Sequence, residues 1–120
     1  MSLQFYGIPN CDTVKKARKW LEAQGIDYTF HDFKKDGAEG DKVAAWIADK
    51  GLDVVLNKRG TTFRKLSNAE KEHAADPAFA TGLMVANPSM IKRPVLEYDT
   101  ENGAGVLIGF KPADWEAVLC

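Results

Sequence analysis

Cysteine is scarce in this sequence: Cys11 and Cys120 are the only two in 120 residues. Two thiols cannot build the disulfide framework of a small secreted domain. A reducing compartment is therefore expected, with any disulfide transient and catalytic. Two familiar thiol patterns are missing as well. A C-x-x-C dithiol needs its second cysteine at 14, which is Val14; a phosphatase-type loop needs arginine at 17, which is Ala17, with Arg18 one place late. No apolar run approaches the ~18 residues of a membrane span, so no membrane association is expected. The first residues lack a charged start followed by an apolar stretch, so no secretory signal is expected and the cytoplasm is the expected location. Histidine is limited to His31 and His73, which form no metal or triad pattern with Cys11 and are expected to be structural or solvated. No Gly-rich phosphate loop, zinc spacing or carboxylate pair stands out, and neither a metal nor a bound cofactor is expected. The net charge of −1 gives no broad field for nucleic acid. Nothing demands a dimer, and a monomer is expected.

What is present suits one folded domain over residues 1–120. Hydrophobic residues at 45% and charged residues at 28% leave material for a real core. Leu3 to Gly7 reads as a first strand. Val14, Ala17 and Leu21 then share one helical face between Asp12 and Gln24, with Gly25 as a helix-ending residue. Ile26, Tyr28 and Phe30 alternate with polar residues, the period of a strand. The opening is thus β-α-β, which implies parallel pairing. Lys34 to Gly40 reads as a polar loop. Val43, Trp46 and Ile47 mark a helix that Gly51 can end. Ser67 with Glu70 matches a capping box, and Asp76-Pro77 an N-cap followed by the favoured proline. Phe79, Leu83 and Ala86 continue that helix until Asn87-Pro88. Val95 to Tyr98 and Gly105 to Gly109 read as a hairpin around Asp99-Thr100-Glu101-Asn102-Gly103. Pro112 opens a last helix carrying Trp115, Val118 and Leu119. The expected class is α/β with a mixed sheet, β-α-β then β-β-α, and a helical insertion from about 39 to 87.

Cys11 is the residue most suited to chemistry. It stands where a short strand breaks at Gly7-Ile8-Pro9-Asn10 and a helix begins at Asp12-Thr13. There a thiol meets unpaired backbone N–H groups and the positive end of the helix dipole, both of which favour the reactive thiolate. Without a C-x-x-C partner, the resolving thiol is glutathione, a protein thiol, or Cys120. A second feature is basic: Asn57-Lys58-Arg59-Gly60-Thr61-Thr62-Phe63-Arg64-Lys65, then Lys92-Arg93-Pro94, then Lys111. It reads either as a solvated charged face or as an anion site beside the thiolate. Arginine holds oxyanions and carboxylates through paired N–H bonds and lowers the pKa of a neighbouring thiol. Arg93, fixed by the proline after it, is the strongest candidate.

Four blocks carry a family resemblance: Tyr6–Thr13, Asn57–Arg64, Pro88–Val95 and Gly109–Pro112. In this order, across nearly the whole chain, they resemble the arsenate reductase ArsC/Spx family, most closely its YffB-like branch of glutathione-dependent thiol reductases. The resemblance implies a thioredoxin-like fold with a helical insertion and a cis peptide bond before Pro94. It implies Cys11 as nucleophile, forming a mixed disulfide or an arsenate adduct, and Arg93 as the oxyanion-binding arginine. It implies glutathione as co-substrate and glutaredoxin as a further partner. Asn10, Asp12, Thr13, Asn57, Arg59, Arg64, Pro94 and Lys111 are the corresponding binding residues. Asp12 or Thr13 would help cap the helix, and Pro94 would present backbone to the glutathione peptide. Asn57 and Lys111 stand where the enzymes carry anion-binding arginines, and Gly7 where they carry a histidine. The alternative within the same family is an Spx-like regulator that binds RNA polymerase without turnover.

Overall fold

The computed structural model describes residues 2–101 and 103–120. The chain runs β1 (Ser2–Gly7), α1 (Asp12–Ala23) and β2 (Thr29–Asp32). It continues through α2 (Phe33–Asp36), α3 (Gly40–Lys50), α4 (Leu52–Val55), α5 (Thr61–Arg64), α6 (Asn68–His73) and α7 (Pro77–Ala86). A 3-10 turn (Pro88–Met90), β3 (Val95–Thr100), β4 (Gly103–Ile108) and α8 (Pro112–Leu119) complete it. The chain divides into two compact units: residues 1–32 with 93–120, and residues 33–92. Among the described residues, no helix is long and apolar enough to cross a membrane.

The first unit holds a four-stranded sheet of order β2-β1-β3-β4. β1 pairs parallel with β2 and antiparallel with β3, and β3 with β4 is the expected hairpin. Tyr6 lies opposite Val95 and Val95 opposite Ile108, so the end of β1, the start of β3 and the end of β4 share one edge. One sheet face carries Leu3, Phe5 and Leu96, which pack with Val14, Ala17 and Leu21 of α1 and Trp115 of α8; all are buried. Burial of a Val or Leu side chain is worth about 1.5–3 kcal/mol. The three-residue stripe of α1 therefore outweighs the roughly 1 kcal/mol of an ordinary N-cap side chain, which this helix lacks. The other face carries a polar set: His31 stacks on Tyr6 at 4.5 Å and meets Gln4 at 2.6 Å, while the Tyr6 hydroxyl donates to Glu97 at 3.0 Å. His31 is thus structural. So is His73, stacked on Phe79 at 4.0 Å in the helical unit.

Several local signals are realised. Gly25, at φ 70°, ends α1 in a Schellman motif: its N–H bonds Glu22 and that of Ile26 bonds Leu21. Ile26 is used in that cap, so β2 begins later than the alternation suggested. Ser67 and Glu70 form the reciprocal capping box, and Asp76 caps α7 by accepting from Ala78. The hairpin ladder reaches Thr100 and Gly103, so the turn is tighter than the five residues expected; Asn102 of that turn lies outside the described residues. Where a loop was expected at Lys34–Gly40, Phe33–Asp36 forms a helical turn anchored by buried Phe33. α7 runs through Phe79, Leu83 and Ala86 to the Asn87 C-cap as expected, and it buries Ala80 and Met84. Apart from Thr81 its sequence is apolar, so little in it fixes the buried face.

Gly7, the last residue of β1, meets the first turn of α1. A Cβ placed there would lie 2.9 Å and 3.2 Å from the two γ-carbons of Val14, itself fully buried. A side chain at 7, histidine included, has no room while Val14 stands at 14. Gly7→Ala is expected to cost about 1–3 kcal/mol in urea unfolding, and its cost should be smaller in a Val14→Ala background than in wild type; equal stability of the single variant and wild type would refute the contact. Ser67→Ala should lose about 1 kcal/mol in the same assay.

Candidate active site

The corner between β1 and α1 is a tight turn. The Cys11 N–H bonds the Ile8 carbonyl at 3.2 Å, which places Pro9 and Asn10 at the two corner positions. Pro9 supplies the fixed φ that position favours, and Asn10 is exposed. Cys11 then takes the N-cap of α1 with extended backbone (φ −100°, ψ 127°), and its carbonyl accepts the first helical bond from Lys15 at 2.9 Å. No side chain caps this helix. That corrects the expectation for Asp12 and Thr13, which are exposed residues of the first turn itself and cannot fold back as caps.

The vacant cap leaves first-turn N–H groups facing the sulfur. Cys11 is half-buried. Burial alone pushes its thiol up. The backbone N–H of Val14, the Arg93 guanidinium by hydrogen bond and by charge, and the Thr13 N–H all pull it down and together prevail, so the net shift is downward. The sulfur makes no formal capping hydrogen bond; the N–H groups act on it as the positive end of the helix. Arg93 reaches it from the segment just before β3, at the shared sheet edge. The Arg93–Pro94 peptide is cis, as the resemblance implied.

Pro94 is buried, has no N–H, and its carbonyl accepts from Gly109 at 2.8 Å. Lys111 is exposed at the N-cap of α8, where its carbonyl accepts from Asp114 and Trp115. It follows β4 at the same edge but does not act on the sulfur. Cys120 ends α8, whose Trp115 packs into the core. It is an exposed free thiol at the C-cap of that helix.

Asn57, Arg59 and Arg64 belong to the helical unit. Asn57 shapes its own turn: its Oδ1 accepts the Arg59 N–H at 3.2 Å, its backbone N–H bonds Met90 at 2.8 Å, and its amide packs over Gly60. Arg59 and Arg64 are exposed. Among the described residues no group of three His, Cys, Asp or Glu could hold a metal ion. Sequence reasoning missed Val14 as a site residue, although its place one turn after Cys11 and on the apolar stripe was the available signal.

The model of the ArsC family matches residues 6–118. The YffB protein structure is 48% identical, with TM-score 0.90, covering 99% of this chain and 100% of that one. An arsenate reductase (ArsC) related protein from Brucella melitensis is 50% identical, with TM-score 0.73 and coverage of 98% and 93%. An uncharacterized protein of Haemophilus influenzae is 39% identical over 114 residues, 95% of this chain and 96% of its own length. The global transcriptional regulator Spx of Listeria innocua is 27% identical over 93 residues, 76% of this chain and 70% of that protein. With the family model matched over residues 6–118 and a TM-score of 0.90 to the YffB structure, the chain belongs to the ArsC family and has its thioredoxin-like fold.

Proposed function

We propose that this protein is a thiol oxidoreductase of the cytoplasm that uses glutathione, with Cys11 as its single catalytic nucleophile. The observation that carries this reading is the sulfur at an uncapped helix start with the Arg93 guanidinium against it. The Cys11 thiolate attacks the glutathionyl sulfur of a mixed disulfide. A Cys11–glutathione bond forms, the original disulfide breaks, and the other thiol leaves as thiolate and takes a proton from water. Reduced glutathione then attacks the glutathionyl sulfur, releasing oxidised glutathione and restoring the Cys11 thiolate. Arg93 stabilises the thiolate each time it is the leaving group. Arg93 and Lys111, on one sheet edge, supply positive charge for the two carboxylates of glutathione. Arsenate reduction is the narrower form of this chemistry. Thiol exchange asks less of the site, because one guanidinium rather than three acts at the sulfur.

The family relatives that are transcriptional regulators support a second reading, partner binding without turnover. Intact mass after exposure to oxidised glutathione separates the two. One adduct on Cys11, released by excess reduced glutathione and absent in Cys11→Ser, is expected. No adduct on Cys11 would sink the reductase and direct the next test to RNA polymerase binding. In a Cys120→Ser background, the pH midpoint of alkylation should fall below the about 8.5 of a free cysteine. A lowered pKa keeps the thiolate populated at lower pH, so the rate plateau extends towards acid. Arg93→Ala should move the midpoint upward and slow release of the adduct; an unchanged midpoint would remove Arg93 from the mechanism.

A further inference from the structure

The helix that begins at Cys11 carries cations that the thiol chemistry does not use. In α1, Lys15, Lys16, Arg18 and Lys19 stand against two acids, Asp12 and Glu22. Arg18 is committed within the fold: its Nε donates to the Tyr28 hydroxyl at 2.9 Å, and its guanidinium lies 4.1 Å from the Phe30 ring centre. Lys15, Lys16 and Lys19 are exposed, and among the described residues their ammonium groups have no ion-pair or hydrogen-bond partner. This placement runs against the helix itself. Lys15 and Lys19 are like charges at i,i+4, which is destabilising. The last turn, where the helix dipole favours cations, holds none. Nor do the lysines serve the sulfur, since two backbone N–H groups and Arg93 are what lower the Cys11 pKa. Their charge is free for a partner.

Geometry ties that charge to the reacting atom. Lys15 and Lys19 follow Cys11 at i+4 and i+8, along one line of the helix and about 6 Å and 12 Å beyond it. An open helix face does not suit a small molecule, which takes a concave site, but it suits a polypeptide. An extended segment advances about 3.3 Å per residue and turns alternate side chains to one face. With its disulfide at Cys11, acids two and four residues away would reach about 7 Å and 13 Å, opposite Lys15 and Lys19.

We infer that the lysine face of α1 docks acidic protein substrates: glutathionylated polypeptides with Asp or Glu two and four residues from the modified cysteine. This inference rests on the thiol-exchange reading of Cys11. The Cys11 thiolate attacks the glutathionyl sulfur, and the polypeptide thiolate leaves and is protonated by water. Reduced glutathione then attacks the Cys11 adduct, giving oxidised glutathione and the Cys11 thiolate.

Two glutathionylated peptides test the inference: Glu-Ala-Glu-Ala-Cys-Ala-Glu-Ala-Glu and its counterpart with Gln for every Glu. At low ionic strength the acidic peptide should show kcat/KM at least about tenfold higher, a ratio that falls as salt is added. Lys15→Gln/Lys16→Gln/Lys19→Gln should bring the ratio close to one with amide dispersion preserved. Lys50→Gln/Lys65→Gln/Lys71→Gln, which removes the same charge elsewhere, should retain it. A ratio near one in wild type, a ratio that survives the α1 variant, or a ratio lost equally in both triple variants would overturn the proposal. Docking is read apart from turnover by amide NMR shifts of Cys11→Ser titrated with the acidic peptide carrying Ser for Cys. Saturable shifts are expected at 15, 16 and 19. Turnover of both peptides without these shifts would overturn the docking face alone. The shifts without any turnover would overturn the reductase reading and the substrate role with it. Stronger shifts with a single-stranded oligonucleotide of equal charge would make this a nucleic-acid face and overturn the proposal too.

Discussion

The contact between Gly7 and Val14 sets the position of everything chemical in the first unit. The end of β1 and the first turn of α1 approach so closely that only a hydrogen fits at residue 7. Val14 is also the first member of the buried stripe that holds α1 to the sheet. The helix is thus registered by packing at its first turn, and the tight turn from Ile8 to Cys11 has one way to span the gap. The N-cap position falls on Cys11 as a consequence. A histidine at 7 would collide with the residue that fixes this register, so a charged helper on the strand side is incompatible with this version of the core.

Because packing secures the helix, its start is free to remain uncapped. A Ser or Asp at 11 would satisfy a first-turn N–H and stabilise the helix by about 1 kcal/mol. The cysteine forgoes most of that, and the same N–H dipoles become available to its thiolate. Burial opposes ionisation, and in a half-buried site that opposition is substantial. It is overcome by several contributions of one sign: two backbone N–H groups and the guanidinium of Arg93. The helix terminus alone would compete with burial on less favourable terms, which is why an arginine at the start of β3 belongs to the same device.

Features written into adjacent residues were legible in the sequence. The Gly25 terminator, the Ser67–Glu70 box, the Asp76-Pro77 start and the α1 stripe each depend on a few neighbouring positions. Four-residue turns such as α2, α4 and α5 carry no period to read, and α7 has too few polar residues to define its buried face. Arg93 was reachable only as a candidate, from the proline after it and from family motifs, since 81 intervening residues separate it from Cys11 and only tertiary structure brings it to the sulfur. Asn57 was named from the resemblance, as the position of an anion-binding arginine. Its Oδ1 also accepts the Arg59 N–H and its amide lies over Gly60, a turn role visible only in the structure.

The position of Val14 also decides what kind of thiol chemistry this fold can carry. A dithiol enzyme resolves its own mixed disulfide with a second cysteine one turn along the helix. Here that place holds a fully buried valine whose methyl groups define the approach to Gly7. The remaining thiol, Cys120, is exposed at the end of α8. In the proposed reaction the disulfide at Cys11 is broken by a thiol that arrives from solution. The rate of that step depends on the stability of the departing Cys11 thiolate. The N–H groups and Arg93 stabilise that same species, so in the proposed reaction one electrostatic arrangement serves both the attack by Cys11 and its later release.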